Sequence, residues 1–85
     1  MNDQSPRAVF ERTVSLLKGG ARQEAESLCR DMLERDPGDI NFVSLLGSIL
    51  ATRGAQEEAV DLLSRAVKAA PGHAKAREDL GTLLL

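Results

Sequence analysis

The chain has 85 residues and a mass of 9.1 kDa, enough for one small domain and too little for two independent cores. With 42% hydrophobic residues it can bury a core, but it holds no Trp, no Tyr and two Phe, so that core is aliphatic and alanine-rich, which favours packed helices. Eleven Lys and Arg against thirteen Asp and Glu leave a net charge of −2 with the signs interspersed, which excludes the basic footprint of a nucleic-acid-binding domain.

The first residues, Met1-Asn2-Asp3-Gln4-Ser5-Pro6, are polar and acidic where a secretory leader needs basic residues followed by an apolar run. No apolar stretch approaches the eighteen or so residues that span a bilayer, so the expectation is a cytoplasmic protein with no membrane partner. Ser5-Pro6 then opens a helix over 6–18, with Ser5 as N-cap and Pro6 at the first helical position, where its missing N–H costs nothing. Gly20 supplies the left-handed residue that reverses the chain into a second helix over 21–35, closed by Pro37. Asp39 caps a third helix over 40–52, Gly54 turns it into a fourth over 55–69, and Pro71 closes that one. His73 precedes a fifth helix over 74–84.

These signals recur at a separation of 34 residues. Pro37-Gly38 returns as Pro71-Gly72, Gly20-Ala21 as Gly54-Ala55, Glu24-Ala25 as Glu58-Ala59, Leu28 as Leu62, and Val9 and Leu16 as Val43 and Leu50, nine identities in 34 aligned pairs. Leu46-Gly47 and Leu50 return once more as Leu80-Gly81 and Leu84. Within a unit the apolar positions Ala55, Ala59, Leu62, Leu63, Ala66 and Val67 lie on one helical face. Glu57, Glu58, Asp61, Arg65 and Lys68 form the opposite, solvated face, where Asp61 and Arg65, like Glu26 and Arg30, have the spacing of surface ion pairs.

The pattern resembles the tetratricopeptide repeat family from about Pro6 onward. Leu46-Gly47, Leu50, Gly54, Ala59, Leu63, Ala66 and Pro71 occupy the large–small, turn and helix-crossing positions of its 34-residue motif. The resemblance implies an all-α fold, an α-solenoid of antiparallel helix pairs, with one domain over 1–85: repeat one at 6–39, repeat two at 40–73, and a partial repeat or capping helix at 74–85. The first unit departs from the motif, with Arg12-Thr13 for Leu-Gly and Met32 for Ala. A polar Arg12 suits a helix with no repeat before it, because the equivalent Leu46 and Leu80 pack on the preceding second helix.

The resemblance further implies protein–protein binding in a concave groove lined by the first helix of each unit. Rotating at 100° per residue from Val9, Val43 and Arg77 places Phe10, Val14 and Leu17 in one sector at about 80–140°, with Arg7 beside it. In the other first helices that sector holds Asn41, Ser44, Ser48 and Ala51, then Lys75, Glu78, Thr82 and Leu85. Such a groove suits an amphipathic peptide or helix, with apolar anchors beside Phe10, Val14 and Leu17 and polar or carboxylate groups meeting Asn41, Lys75 and Arg7. The competing reading is that Phe10 and Leu17 simply pack against the neighbouring first helix. A subset of the family clamps C-terminal carboxylates with Lys and Asn on that helix, but Phe10 and Val14 stand at those places here.

No cofactor, metal or catalytic set is expected. One Cys and one His cannot build a zinc site within the chain. Cys29 aligns with Leu63 on a buried face and reads as a packed thiol, and His73 aligns with Asp39 and reads as a cap. Asp31, Glu34 and Asp36 lie on a polar helix end beside Arg30 and Arg35. Two function classes remain. One is a partner-binding module, including the N-terminal adaptor of a longer protein. The other is a self-assembly module that forms a homodimer through Leu80, Leu84 and Leu85.

Overall fold

The computed structural model describes residues 5–84. Among them run five helices: α1 (Pro6–Lys18), α2 (Arg22–Arg35), α3 (Ile40–Arg53), α4 (Gln56–Ala69) and α5 (Ala74–Leu84). They stack as antiparallel pairs, α1 on α2 and α3 on α4, with α5 laid against α4 and α3, in a body 43 × 26 × 20 Å.

Each reversal has a local cause that is repeated along the chain. The Ser5 hydroxyl oxygen accepts from the Ala8 N–H at 3.2 Å, an Asp39 carboxylate oxygen from the Asn41 N–H at 3.1 Å, and His73 Nδ1 from the Ala76 N–H at 3.3 Å. All three residues therefore cap the helix that follows, as their common phase predicts. Gly20 and Gly54 have φ of 88° and 89°. At each, two bonds close the helix: Gly20 N–H to Leu17 C=O at 3.1 Å with Ala21 N–H to Leu16 C=O at 2.8 Å, and Gly54 N–H to Ala51 C=O at 3.2 Å with Ala55 N–H to Leu50 C=O at 2.9 Å. This is the Schellman arrangement, formed twice with equivalent residues. The second helices end in four-residue turns with Pro at the second place, closed by Asp39 N–H to Asp36 C=O at 3.1 Å and His73 N–H to Ala70 C=O at 2.9 Å.

The core is aliphatic and thin. Ala25, Cys29, Leu50, Ala59, Leu63, Ala66 and Ala76 are fully buried, and Phe42, Val43, Leu46 and Ile49 join them from α3. That helix lies between neighbours on several sides, so it supplies more buried residues than any other. The alanines bring helix axes close, and Gly47 does so most strongly: a Cβ there would lie 2.7 Å from Leu63 Cγ. At the divergent first pair, Arg12 is exposed, while Thr13 is buried and its hydroxyl donates to the Val9 carbonyl at 2.7 Å. The thiol of Cys29 is buried as expected, and burial, then the negative charge of Glu26, push its pKa up to about 12.

Ion pairs tie the outer faces together. Glu26 pairs with Arg30 one turn on, and Arg30 reaches Glu58 of α4 at 3.1 Å, while Arg53 at the end of α3 also reaches Glu26 at 3.1 Å. The expected Asp61–Arg65 pair does not close to within 4.0 Å. Arg65 instead lines an outer cleft with Arg30, Leu33, Glu34 and Glu58.

Candidate functional site

Three helices, α1, α3 and α5, present one side of the stack, and three clefts lie along it. The largest, about 570 Å³, sits between the N-terminal halves of α1 and α3 and is lined by Pro6, Arg7, Phe10, Glu11, Asp39, Asn41 and Phe42. Phe10 meets Phe42 edge to face, with ring centroids 5.6 Å apart and an interplanar angle of 77°. Phe42 is fully buried and Phe10 half-buried, so Phe10 both packs on the neighbouring helix and leaves an aromatic edge facing the cleft. Asn41 is exposed at the cleft wall, its backbone N–H held by Asp39. Arg7 is exposed and lies 3.7 Å from Glu11, one turn away.

A second cleft of about 290 Å³ is lined by Leu17, Arg22, Ser48, Ile49 and Thr52. A third, of about 280 Å³, runs between α3 and α5 and is lined by Ser48, Ala51, Thr52, Lys75, Asp79, Thr82 and Leu83. Here the Ser48 hydroxyl donates to one carboxylate oxygen of Asp79. The other oxygen of Asp79 lies 3.3 Å from the Lys75 ammonium. Ser48 and Lys75, placed in one sector by helical phase, are thus joined through a residue outside it.

Seven of the nine groove residues expected from the sequence are exposed or partly buried on this side or at its edge: Arg7, Phe10, Leu17, Asn41, Ser48 and Lys75 line the clefts, and Val14 is partly buried between them along α1. Glu78 is exposed on α5 but lines none of the three clefts. Ser44 is 3% exposed and offers no groove surface. Asp79, Glu11, Phe42 and Arg22 were not anticipated. For Asp79 a signal existed, since it stands one turn from Lys75 at the pairing distance.

The self-association residues separate. Leu80 is half-buried against the core, whereas Leu84 is 66% exposed and is the one exposed large hydrophobic among the described residues. Leu85 lies outside the described residues. Among those described, no helix is long and apolar enough to cross a membrane, and no group of three His, Cys, Asp or Glu side chains could hold a metal ion.

The repeated caps, paired left-handed glycines and small-residue crossings define a helical-repeat protein. The family model of the tetratricopeptide repeat matches residues 16–84, and the chain belongs to that family. Its members in general mediate protein–protein interactions and are as a rule non-catalytic. A search of curated proteins finds no match.

Proposed function

We propose that the chain is a non-catalytic binding module that takes a peptide or helix of a partner protein into the groove formed by α1, α3 and α5, and that it can serve as an adaptor segment in this way. The repeats run over 6–39 and 40–73, and α5, in the partial repeat of 74–85, completes the groove wall. The observation that carries this reading is the cleft at Phe10. An aromatic edge left half-open above a buried ring, with exposed Asn41 and Arg7 on its rim, is a seat for an apolar anchor with polar groups to orient it. Farther along, Ser48, Asp79 and Lys75 offer hydrogen-bonding groups rather than an open cation, since Lys75 already faces Asp79. The peptide that suits this groove places its apolar side chain at the α1 end and polar side chains at the α5 end.

A photo-crosslinking residue at Asn41 tests this, with the same residue at exposed Asp61 on α4 as control. Partner proteins crosslinked from Asn41 and not from Asp61, and lost with Phe10→Ala and Val14→Ala, are the expected result. Equal capture from both positions, or capture indifferent to Phe10 and Val14, overturns the groove reading. Self-assembly has less support, since of its two expected leucines among the described residues Leu80 packs inward and Leu84 is exposed.

A further inference from the structure

Among the residues that line the three clefts of the groove, the carboxylates are already occupied. Glu11 lies 3.7 Å from Arg7, Asp39 accepts from the Asn41 N–H at the start of α3, and Asp79 holds both Ser48 and Lys75. Two of the three cations, Arg7 and Lys75, are thereby answered as well. Arg22 differs from them. It is exposed, it lines the second cleft beside Leu17, and among the described residues no carboxylate lies within 4.0 Å of it. The charge left over in the groove is therefore positive and sits at one place.

The hydroxyls of the same cleft limit its occupant further. A hydroxyl has one hydrogen to give. Ser48 gives its own to Asp79, and Thr52 gives its own to the Ser48 carbonyl at 3.0 Å. Both oxygens can then only accept, so they suit a ligand that brings N–H groups. A helix spends its backbone N–H groups internally, whereas an extended segment keeps them free. The spacing agrees with an extended segment. From Phe10 to Leu17, and from Asn41 to Ser48, the first and second clefts stand about 10.5 Å apart along the helices at 1.5 Å per residue. A polyproline II segment covers about 9.3 Å in three residues and returns to the same face. Resting on the groove reading, we propose that the α1–α3 seam takes an extended segment of a partner protein in which an acidic side chain stands three residues from the apolar anchor. The anchor enters the cleft at Phe10, and the acid meets Arg22.

The probe carries the acid on both sides of the anchor, so that either chain direction presents it: Gly-Glu-Ala-Thr-Leu-Thr-Ala-Glu-Gly, with a counterpart bearing Lys for Glu. Each is titrated to millimolar concentration against the isotope-labelled whole chain, and binding is read from backbone amide shifts by NMR. The Glu peptide should bind about fivefold tighter than the Lys peptide, the worth of an ion pair at a partly open surface. With a net charge of −2 the chain as a whole favours the Lys peptide, so that preference requires a local cation. Arg22→Glu should reverse it. This variant keeps its fold, because an acidic residue at the first position of α2 suits the helix N-terminus. Arg12→Glu makes the same change of charge at an exposed residue that lines none of the three clefts, and should leave the order of the peptides unchanged. Moving the glutamates next to the leucine should remove the preference. A preference that survives that move, is unaffected by Arg22→Glu, or shifts equally with Arg12→Glu overturns the acid subsite, and loss of all binding with Phe10→Ala then leaves the groove reading standing without it. No binding by any of the peptides also overturns the inference, and crosslinking from Asn41 then judges the groove reading by itself.

Discussion

Gly47 and Leu63 fit each other as gap and filler, a Cβ on Gly47 falling 2.7 Å from Leu63 Cγ. The 34-residue spacing makes Thr13 and Cys29 the equivalent pair, and there the sizes are exchanged, with the larger residue on the first helix and the small thiol on the second. Both members are fully buried. The first pair of helices therefore departs from the Leu-Gly pattern while keeping both positions buried.

This exchange predicts a coupled mutational response. Cys29→Leu alone overpacks the first pair and should lower stability by about 1–3 kcal/mol. Adding Thr13→Gly should recover most of that loss, beyond the cost of a helical glycine, so the double-mutant cycle in urea gives a coupling clearly above zero. Simple additivity of the two changes would show that Thr13 and Cys29 do not share the space that Gly47 and Leu63 share.

The turn glycines make a cleaner test of backbone strain. At both Gly20 and Gly54 a Cβ would meet nothing within 4 Å, so space is ample and only the positive φ resists a side chain. Gly54→Val should cost about 1–2 kcal/mol, and Gly54→Asn distinctly less, because asparagine tolerates the left-handed region. Gly72, in open space without a positive φ, should accept alanine with a change within about 0.5 kcal/mol. Thermal melts of the three variants check the order.

These turns, the three N-caps and the five helices were legible in the sequence because each depends on residues within one turn of one another. Ser5, Asp39 and His73 act on N–H groups two or three residues ahead, and Gly20 and Gly54 on carbonyls a turn behind. The groove was legible only in outline. Rotation at 100° per residue gives the direction of a side chain but not what stands in front of it, so Ser44 fell in the groove sector though it is buried. Asp79 fell outside that sector and still reaches Ser48, because a carboxylate on a short stem spans the angle between adjacent helices. The Arg53–Glu26 and Arg30–Glu58 pairs join residues 27 and 28 positions apart and depend on the tilt between helix pairs, which helical phase does not contain.

Cys29 makes stability fall in alkali. Its folded pKa of about 12 lies above the 9.0 of an ordinary thiol, with burial the first cause and Glu26 the second, so the unfolded chain loses the proton first. The stabilisation is fully present below about pH 9 and is lost as pH rises towards 12, at up to about 1.4 kcal/mol per pH unit. No Tyr titrates in that range to obscure it. Urea midpoints from pH 8 to 11 should decline more steeply for the parent chain than for Cys29→Ala. Alkylation of the native thiol at pH 8 should also be slow, and should accelerate in denaturant. Parallel pH profiles for parent and Cys29→Ala would show that the thiolate is tolerated in the fold.

Asp79 is the link between α3 and α5, and its two oxygens carry different weights. One accepts from the Ser48 hydroxyl across the helix interface. The other faces Lys75, an exposed ammonium on the same helix, whose pairing contributes about 0.3–0.5 kcal/mol at most. The carboxylate side chain is 19% exposed, so its bond to Ser48 is partly shielded from water. Removing a charged acceptor of that kind costs about 1.5–3 kcal/mol. Asp79→Ala should therefore lower stability by an amount in or near that range, Asp79→Asn by less because the amide oxygen can still accept from Ser48, and Lys75→Ala hardly at all. Hydrogen exchange of the α5 amides should report the same order, fastest in Asp79→Ala. A loss in Lys75→Ala as large as in Asp79→Ala would move the link from the Ser48 hydrogen bond to the ion pair.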